Sequence, residues 1–231
     1  MQIHVITAFP NLLQGPLDES IIKRARERNI VQIYVHDLRD FTTDKHRSVD
    51  DYPYGGGPGM VLKPEPIFRC VDHILAECRL QQPRIILMTP QGERYTQRMA
   101  IALSTVEAMI IICGHYKGVD ERVRIALVTD EISIGDYVLS GGELPAAVVI
   151  DSVVRLLPGA ISDPLSAEGD SFHRGMLDHP HYTRPEEFRG MRVPEVLLSG
   201  NHAAIERWRQ EQALEQTRRR RKDLLQGMEN E

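Results

Sequence analysis

Ile85-Ile86-Leu87-Met88 and Met109-Ile110-Ile111-Ile112-Cys113 are continuous apolar runs, each of strand length. A strand with one face in water alternates apolar and polar side chains, so an unbroken apolar run of strand length needs cover on both faces. A parallel sheet sandwiched between helices supplies that cover. The flanking pattern agrees: Ile3 to Thr7, Val31 to Val35 and Ile132-Ser133-Ile134 read as further strands. Between them, Ile21 to Arg28 and Gln97 to Val106 read as helices, and Ile67, Val71, Ile74, Leu75 and Cys78 recur at helical spacing. A last helix over Pro145 to Leu157 carries Ala146, Val149, Ile150, Val153, Val154 and Leu157 along one stripe. The expected fold class is therefore α/β, a parallel sheet with helices on both faces, over residues 1–160.

The texture then changes. Residues 161–174 show no sustained periodicity and are expected to form a flexible linker. Residues 175–231 are expected to form a small helical domain, with Asn201 as a helix N-cap and Ile205 and Trp208 on one face, Trp208 serving as core. Net charge is −5, which argues against a protein that coats nucleic acid indiscriminately. Yet Arg207 to Lys222 holds seven basic and two acidic residues, a local excess of +5. With 42% hydrophobic and 26% charged residues, disordered and collagen-like readings drop out. The longest uncharged stretch, Met1 to Leu17, is interrupted by Gln2, His4, Pro10 and Asn11, so neither a membrane span nor a leader is expected and the chain reads as cytoplasmic. Cys70, Cys78 and Cys113 have no CxxC spacing, which argues against a disulfide framework or a zinc cluster.

Three strand candidates each run directly into a glycine-bearing loop. They lead to Thr89-Pro90-Gln91-Gly92, to Gly114-His115-Tyr116-Lys117-Gly118, and to the segment from Gly135 to Gly142. Ligands of α/β sheets sit beyond the carboxyl ends of strands, where glycine lets backbone groups approach closely. Three such loops suit a small, largely neutral ligand, although any one alone reads more readily as an ordinary tight turn. Nucleoside triphosphates fit poorly, because Tyr54-Gly55-Gly56-Gly57-Pro58-Gly59-Met60 lacks the Gly-Lys-Ser/Thr ending of a phosphate loop; no GxGxxG follows a strand.

Longer motifs carry a resemblance. His46-Arg47-Ser48-Val49-Asp50-Asp51, the Pro53 to Met60 loop, SIGDYVLSGGELP from Ser133 to Pro145, DHPHYTRP from Asp178 to Pro185 and Leu197 to His202 together resemble the bacterial tRNA (guanine-N1)-methyltransferases. The likeness runs from residue 1 to about 222. It implies a knotted SPOUT-class fold with a deep trefoil knot, binding S-adenosyl-L-methionine, and methylation of guanine N1 at position 37 of tRNA, 3′ of the anticodon. By motif, the implied cofactor contacts are Pro90, Gly92, Gly114, Ile134, Gly135, Asp136, Tyr137, Val138, Leu139, Gly141 and Pro145. N1 of guanine carries a proton, so the chemistry needs a general base near N1 and a cation near O6. The resemblance assigns these roles to Asp170 and Arg155, residues that on their own read as a solvated turn acid and a helix-terminal arginine. His46, Arg47, Asp50, Gly57 and Gly59 would border the guanine, and Arg207 and Arg209 would contact tRNA phosphates. The family further implies a homodimer with composite sites, the aspartate loop of one subunit meeting the cofactor loops of the other. It leaves Mg²⁺ as an addition without a visible site.

The chain departs from the family's pattern at Lys117, where an acid is usual, at Gly169 beside Asp170, and at Thr89. Two rival readings stay open at this level. One is a knotted methyltransferase acting on a ribose 2′-hydroxyl. The other is a tRNA-binding protein that holds the cofactor without turnover.

Overall fold

The computed structural model describes residues 1–80, 82–161, 169–173 and 175–228. Residues 162–168 and 174 of the expected linker lie outside the described residues, as do 229–231 of the expected helical domain. The chain divides into two compact units, residues 1–162 and 163–231.

The first unit is built on five parallel strands: β1 (Gln2–Thr7), β2 (Gln32–Asp37), β5 (Arg84–Arg94), β6 (Ala108–Cys113) and β7 (Asp130–Ser133), in the order β2-β1-β6-β5-β7. Its helices are α1 (Ser20–Glu27), α2 (Pro64–Glu77), α3 (Gln97–Ser104), α4 (Glu121–Leu127) and α5 (Glu143–Val154). The apolar runs behave as the two-faced cover requires. Ile86, Met88, Met109, Ile111 and Cys113 point into one buried core with residues of α1, α3 and α5, while Ile85, Leu87, Ile110 and Ile112 point into a second core with α2 and α4. All six members of the α5 stripe are buried, Leu157 just beyond the helix end included. Complete burial of one valine or isoleucine contributes about 1.5–3 kcal/mol, so α5 is held firmly on its face of the sheet.

Two details bear on what the sheet presents at its carboxyl end. β5 does not stop at Met88: it runs to Arg94, and its pairing with β7 shifts register between Met88 and Glu93. The first glycine loop is thus a bulge within a strand rather than a turn after one, a distortion that sheets use to re-aim residues near sites. A small antiparallel pair, β3 (Asp50–Asp51) with β4 (Val61–Leu62), closes the segment holding the Gly55 to Gly59 loop.

The second unit holds α6 (Glu195–Leu198), α7 (His202–Arg220) and α8 (Lys222–Met228), with an antiparallel hairpin β8 (Glu187–Phe188) and β9 (Met191–Arg192) that the sequence pattern did not announce. Asn201 caps α7, its side chain accepting from the Ala204 N–H over 3.1 Å. Among the described residues of this unit only Thr217 is buried. Trp208 is half-buried beside the rings of His179 and Tyr182, 6.3 and 6.4 Å away, so it does not sit in the closed core expected of it.

Candidate active site

The three loops marked in the sequence converge. At the carboxyl end of the sheet they enclose a pocket of about 350 Å³, lined by Thr89 to Gln91 of the β5 bulge, by Gly114 to Val119 after β6, and by Ile134, Gly135, Tyr137 to Gly142 and Pro145 between β7 and α5. Of the residues expected to contact a cofactor, Pro90, Gly114, Ile134, Gly135, Tyr137, Val138, Leu139, Gly141 and Pro145 line it. Gly92 and Asp136 are not among the lining residues. A Cβ on Gly92 would lie 2.4 Å from the Ile132 nitrogen, so this glycine lets β5 press against β7. Asp136 points outward, 3.7 Å from Arg94. Val138 is 83% exposed and Leu139 40%, apolar surface standing open at the pocket wall.

Short contacts fix the loops to one another. The Gly142 N–H donates to Gly114 O over 2.7 Å, and a Cβ on Gly142 would lie 2.8 Å from Cys113 Cα. No side chain fits there. Behind this joint lies a carboxylate that sequence reasoning missed. Glu143, in the first turn of α5 and only 1% exposed, accepts a hydrogen bond from Thr7 Oγ1 over 2.7 Å; Thr7 Oγ1 in turn accepts from the Phe9 N–H over 2.8 Å. The other Glu143 oxygen lies 3.7 Å from His115 Nδ1. Three strand-end segments, after β1, β6 and β7, thus meet around one buried acid. After Gly-Gly such a glutamate reads as a solvated first-turn residue, so only the fold reveals its burial. Burial, reinforced by Glu143, raises the pKa of the Cys113 thiol well above normal, and burial alone pushes Cys70 up to about 12. Neither thiol is a nucleophile at neutral pH.

The segment holding the proposed guanine contacts borders the same pocket. Lys117 N–H donates to Met60 O over 3.0 Å, Leu62 N–H to Gly118 O over 3.0 Å, and Asp120 N–H to Leu62 O over 3.0 Å. These bonds stitch the β3–β4 hairpin, and the glycine loop within it, to the loop after β6. Burial and the neighbouring Asp50 raise the pKa of the Tyr116 phenol, which places Asp50 beside that loop. His46 and Arg47 are exposed at the head of the hairpin segment, Arg47 paired with Asp40; Gly57 and Gly59 are exposed in its loop.

The comparisons with known proteins fit this architecture. The family model described as tRNA (Guanine-1)-methyltransferase TrmD matches residues 1–227. The chain belongs to that family. A protein of Anoxybacillus flavithermus named tRNA (guanine-N(1)-)-methyltransferase is 59% identical over 229 residues, 99% of this chain and 93% of the relative. Proteins of the same name from Moorella thermoacetica and Desulforamulus reducens are 58% identical over 225 residues (97% of this chain, 90% of the relative) and 55% identical over 229 residues (99% and 90%).

The two residues expected to carry the proton transfer and the O6 charge belong to different units. Arg155 follows the last turn of α5 and is half-buried. Gly142 at the pocket wall and Arg155 cap the two ends of that helix, which sets them about 20 Å apart along the axis. Asp170, half-buried, lies in a turn of the second unit where the His173 N–H donates to Asp170 O over 3.3 Å. The next residue anchors that turn: Ser171 Oγ accepts from the Asp178 N–H over 3.0 Å, and Asp178 pairs with His181 over 2.8 Å. Hydrogen bonds to His181 and the His179 N–H, together with the charge of both rings, outweigh desolvation and hold the Asp178 carboxyl below its usual range. Ligand atoms of Asp178, His179 and His181 all lie within 4.8 Å of one another, close enough together for a metal ion. Arg207 and Arg209 are exposed on α7, as are Arg218, Arg219 and Arg220. Arg221 is instead engaged by Asp223 and lies over the Phe172 ring. Among the described residues no helix is long and apolar enough to cross a membrane.

Proposed function

We propose that this protein transfers the methyl group of S-adenosyl-L-methionine to N1 of the guanine at position 37 of tRNA, 3′ of the anticodon. The observation that carries the reading is the coincidence of a match over residues 1–227 with a pocket made from three glycine loops at the carboxyl ends of parallel strands. The residues fit the donor. About 350 Å³ lies within the range of small-molecule sites, backbone N–H and C=O groups of the loops can read an adenine edge, and Val138, Leu139 and Pro145 can cover its faces. Pro90, Gly114, Ile134, Gly135, Tyr137 and Gly141 would complete the grip, with Gly92 and Asp136 acting from behind. The close joint at Gly142 and the crossing of the chain from β7 past the end of β6 support a knotted backbone here.

Bound there, the donor supplies an electrophilic methyl group. The chain's task is to make N1 nucleophilic. Asp170 takes the N1 proton as general base, and Arg155, planar and permanently charged, offsets the negative charge that develops on O6. The pocket wall at the start of α5 and Arg155 past its end are too far apart to converge easily in one copy, which favours a homodimer with sites shared between subunits. Leu12, Leu144 and Val148, 50%, 54% and 46% exposed on and beside α5, offer apolar surface for such a partner. His46, Arg47, Asp50, Gly57 and Gly59 would hold the splayed base, and Arg207 and Arg209 would bind phosphates. Mg²⁺ would be an addition to this scheme without an assigned site, and the setting is the cytoplasm, where tRNA matures.

Incubating the purified protein with methyl-labelled S-adenosyl-L-methionine and an unmodified tRNA transcript tests the reading. Label should enter the transcript and should fail to enter one carrying adenine at position 37. Equal labelling of both would refute the assignment, and no labelling of either would favour a binding protein without turnover.

A further inference from the structure

The Asp178-His179-Pro180-His181 segment of the second unit gathers three ligating groups that the proposed reaction does not use. One carboxylate oxygen and two imidazole nitrogens all lie within 4.8 Å of one another. The backbone fixes the His179 tautomer. Its Nδ1 lies 3.1 Å from Pro180 O, and because a carbonyl only accepts, Nδ1 carries the hydrogen. In the neutral ring Nε2 then keeps a lone pair, and it faces Asp178 Oδ1 at 3.7 Å, acceptor toward acceptor. A cation between the two would turn that opposition into attraction. His181 Nε2 approaches the other oxygen, Oδ2, at 2.8 Å. Ligand atoms about 2.0–2.1 Å from a tetrahedral zinc stand about 3.3–3.4 Å apart, a spacing that these two separations bracket. A ring N–H held by a backbone carbonyl is also the outer contact that orients metal-bound imidazoles.

The ligands stand on anchored backbone. Asp178 N–H donates to Ser171 Oγ and Leu177 N–H to Thr217 Oγ1, each over 3.0 Å, and Thr217 is buried. All three ligands border a cavity of about 420 Å³ shared with Ser171, Gln216 and Arg220, which leaves room for water at a fourth position. Two nitrogens and one oxygen suit a borderline cation such as Zn²⁺ or Co²⁺, whereas Mg²⁺ and Ca²⁺ take oxygen ligands. Arg220 on the same wall opposes a cation and keeps the expected affinity moderate.

We propose that Asp178, His179 and His181 bind one divalent transition-metal ion of the zinc class, with water as fourth ligand. The ion clasps residues 178–181 and, through the Asp178 N–H on Ser171 Oγ, steadies the turn that holds Asp170. Cysteine spacing carries no sign of such a site, because none of its ligands is a thiolate.

Untagged full-length protein is titrated with Co²⁺ alone, whose visible bands are intense only in tetrahedral surroundings, and then with Zn²⁺ or excess Mg²⁺. One Co²⁺ per chain should bind with tetrahedral bands, yield to Zn²⁺ and resist Mg²⁺. His181→Ala and Asp178→Asn should each weaken Co²⁺ binding at least about tenfold, since losing a ligand costs no less than losing an outer partner. The His181 side chain is 70% exposed, so its alanine variant tests the ligand rather than the fold. Cys78→Ser and His202→Ala, which remove other accessible ligands, should leave binding within twofold of wild type. Absence of tetrahedral bands would overturn the proposal, as would binding unchanged in both His181→Ala and Asp178→Asn. So would displacement by Mg²⁺, which marks oxygen ligands, or a tenfold loss in Cys78→Ser, which moves the metal to that thiol.

Discussion

Replacing Thr7 with valine keeps the outline of the side chain and removes its hydroxyl. In the folded protein that hydroxyl donates to Glu143 and accepts from the Phe9 N–H, over 2.7 and 2.8 Å, and both Thr7 and Glu143 are 1% exposed. Water therefore cannot take its place. Loss of a hydrogen bond to a buried charged group costs about 1.5–3 kcal/mol, and an orphaned backbone donor adds about 1 kcal/mol. The expected destabilisation is about 2–4 kcal/mol, read as a lowered urea midpoint at fixed protein concentration. Adding Glu143→Gln to Thr7→Val should recover about 1 kcal/mol or more, because the residual cost is a stranded charge that the amide lacks. A Thr7→Val protein within 0.5 kcal/mol of wild type would refute the reasoning. So would a double variant no more stable than the single one, since the acid would then not be the joint of the three loops.

Further outcomes follow from the same geometry. Burial, then the charge of neighbouring His36, lowers the His4 pKa to about 4 from an ordinary 6.5. The unfolded chain therefore takes up the proton first: stability is full above pH 6.5 and declines as pH falls toward 4, by up to about 3 kcal/mol. Urea midpoints at pH 7.5 and 5 should show the decline, and His4→Leu should flatten it; an unchanged slope in the variant would assign the decline to other groups. Asp170→Ala should slow single-turnover methyl transfer by about 10²–10⁴-fold while leaving donor affinity within twofold; near-normal turnover would remove Asp170 from the base role. Mixing Asp170→Ala with a donor-pocket variant such as Leu139→Asp should restore about a quarter of wild-type activity if sites are shared, since half of the dimers would be mixed with one intact site each. No recovery would place all parts of the site in one subunit.

Much of the first unit was legible because its central strands are covered on both faces, which writes burial directly into Ile85 to Met88 and Met109 to Cys113. The α5 stripe was legible for the same reason. Its start was not: the helix begins at Glu143, two residues before Pro145, and nothing in Gly141-Gly142-Glu143 distinguishes a buried glutamate from a solvated one. Gly92 illustrates the opposite error of emphasis. A glycine beside a ligand loop invites a ligand contact, yet here close strand packing demands it. In the second unit little apolar periodicity exists to read, because Trp208 and its neighbours remain half-exposed and the β8–β9 hairpin is only two residues per strand. Loop convergence, finally, is a property of strand order, and order is set by packing among helices far apart in the chain.

The most direct measurement is the identity of the methylated nucleoside. Transcript labelled by wild-type protein is digested to nucleosides and the label located by chromatography and mass spectrometry, with the position mapped by fragment analysis. The expected product is 1-methylguanosine at position 37 alone. Label in a 2′-O-methylated nucleoside, or in a guanine elsewhere in the tRNA, would contradict the assignment of base, atom and site together.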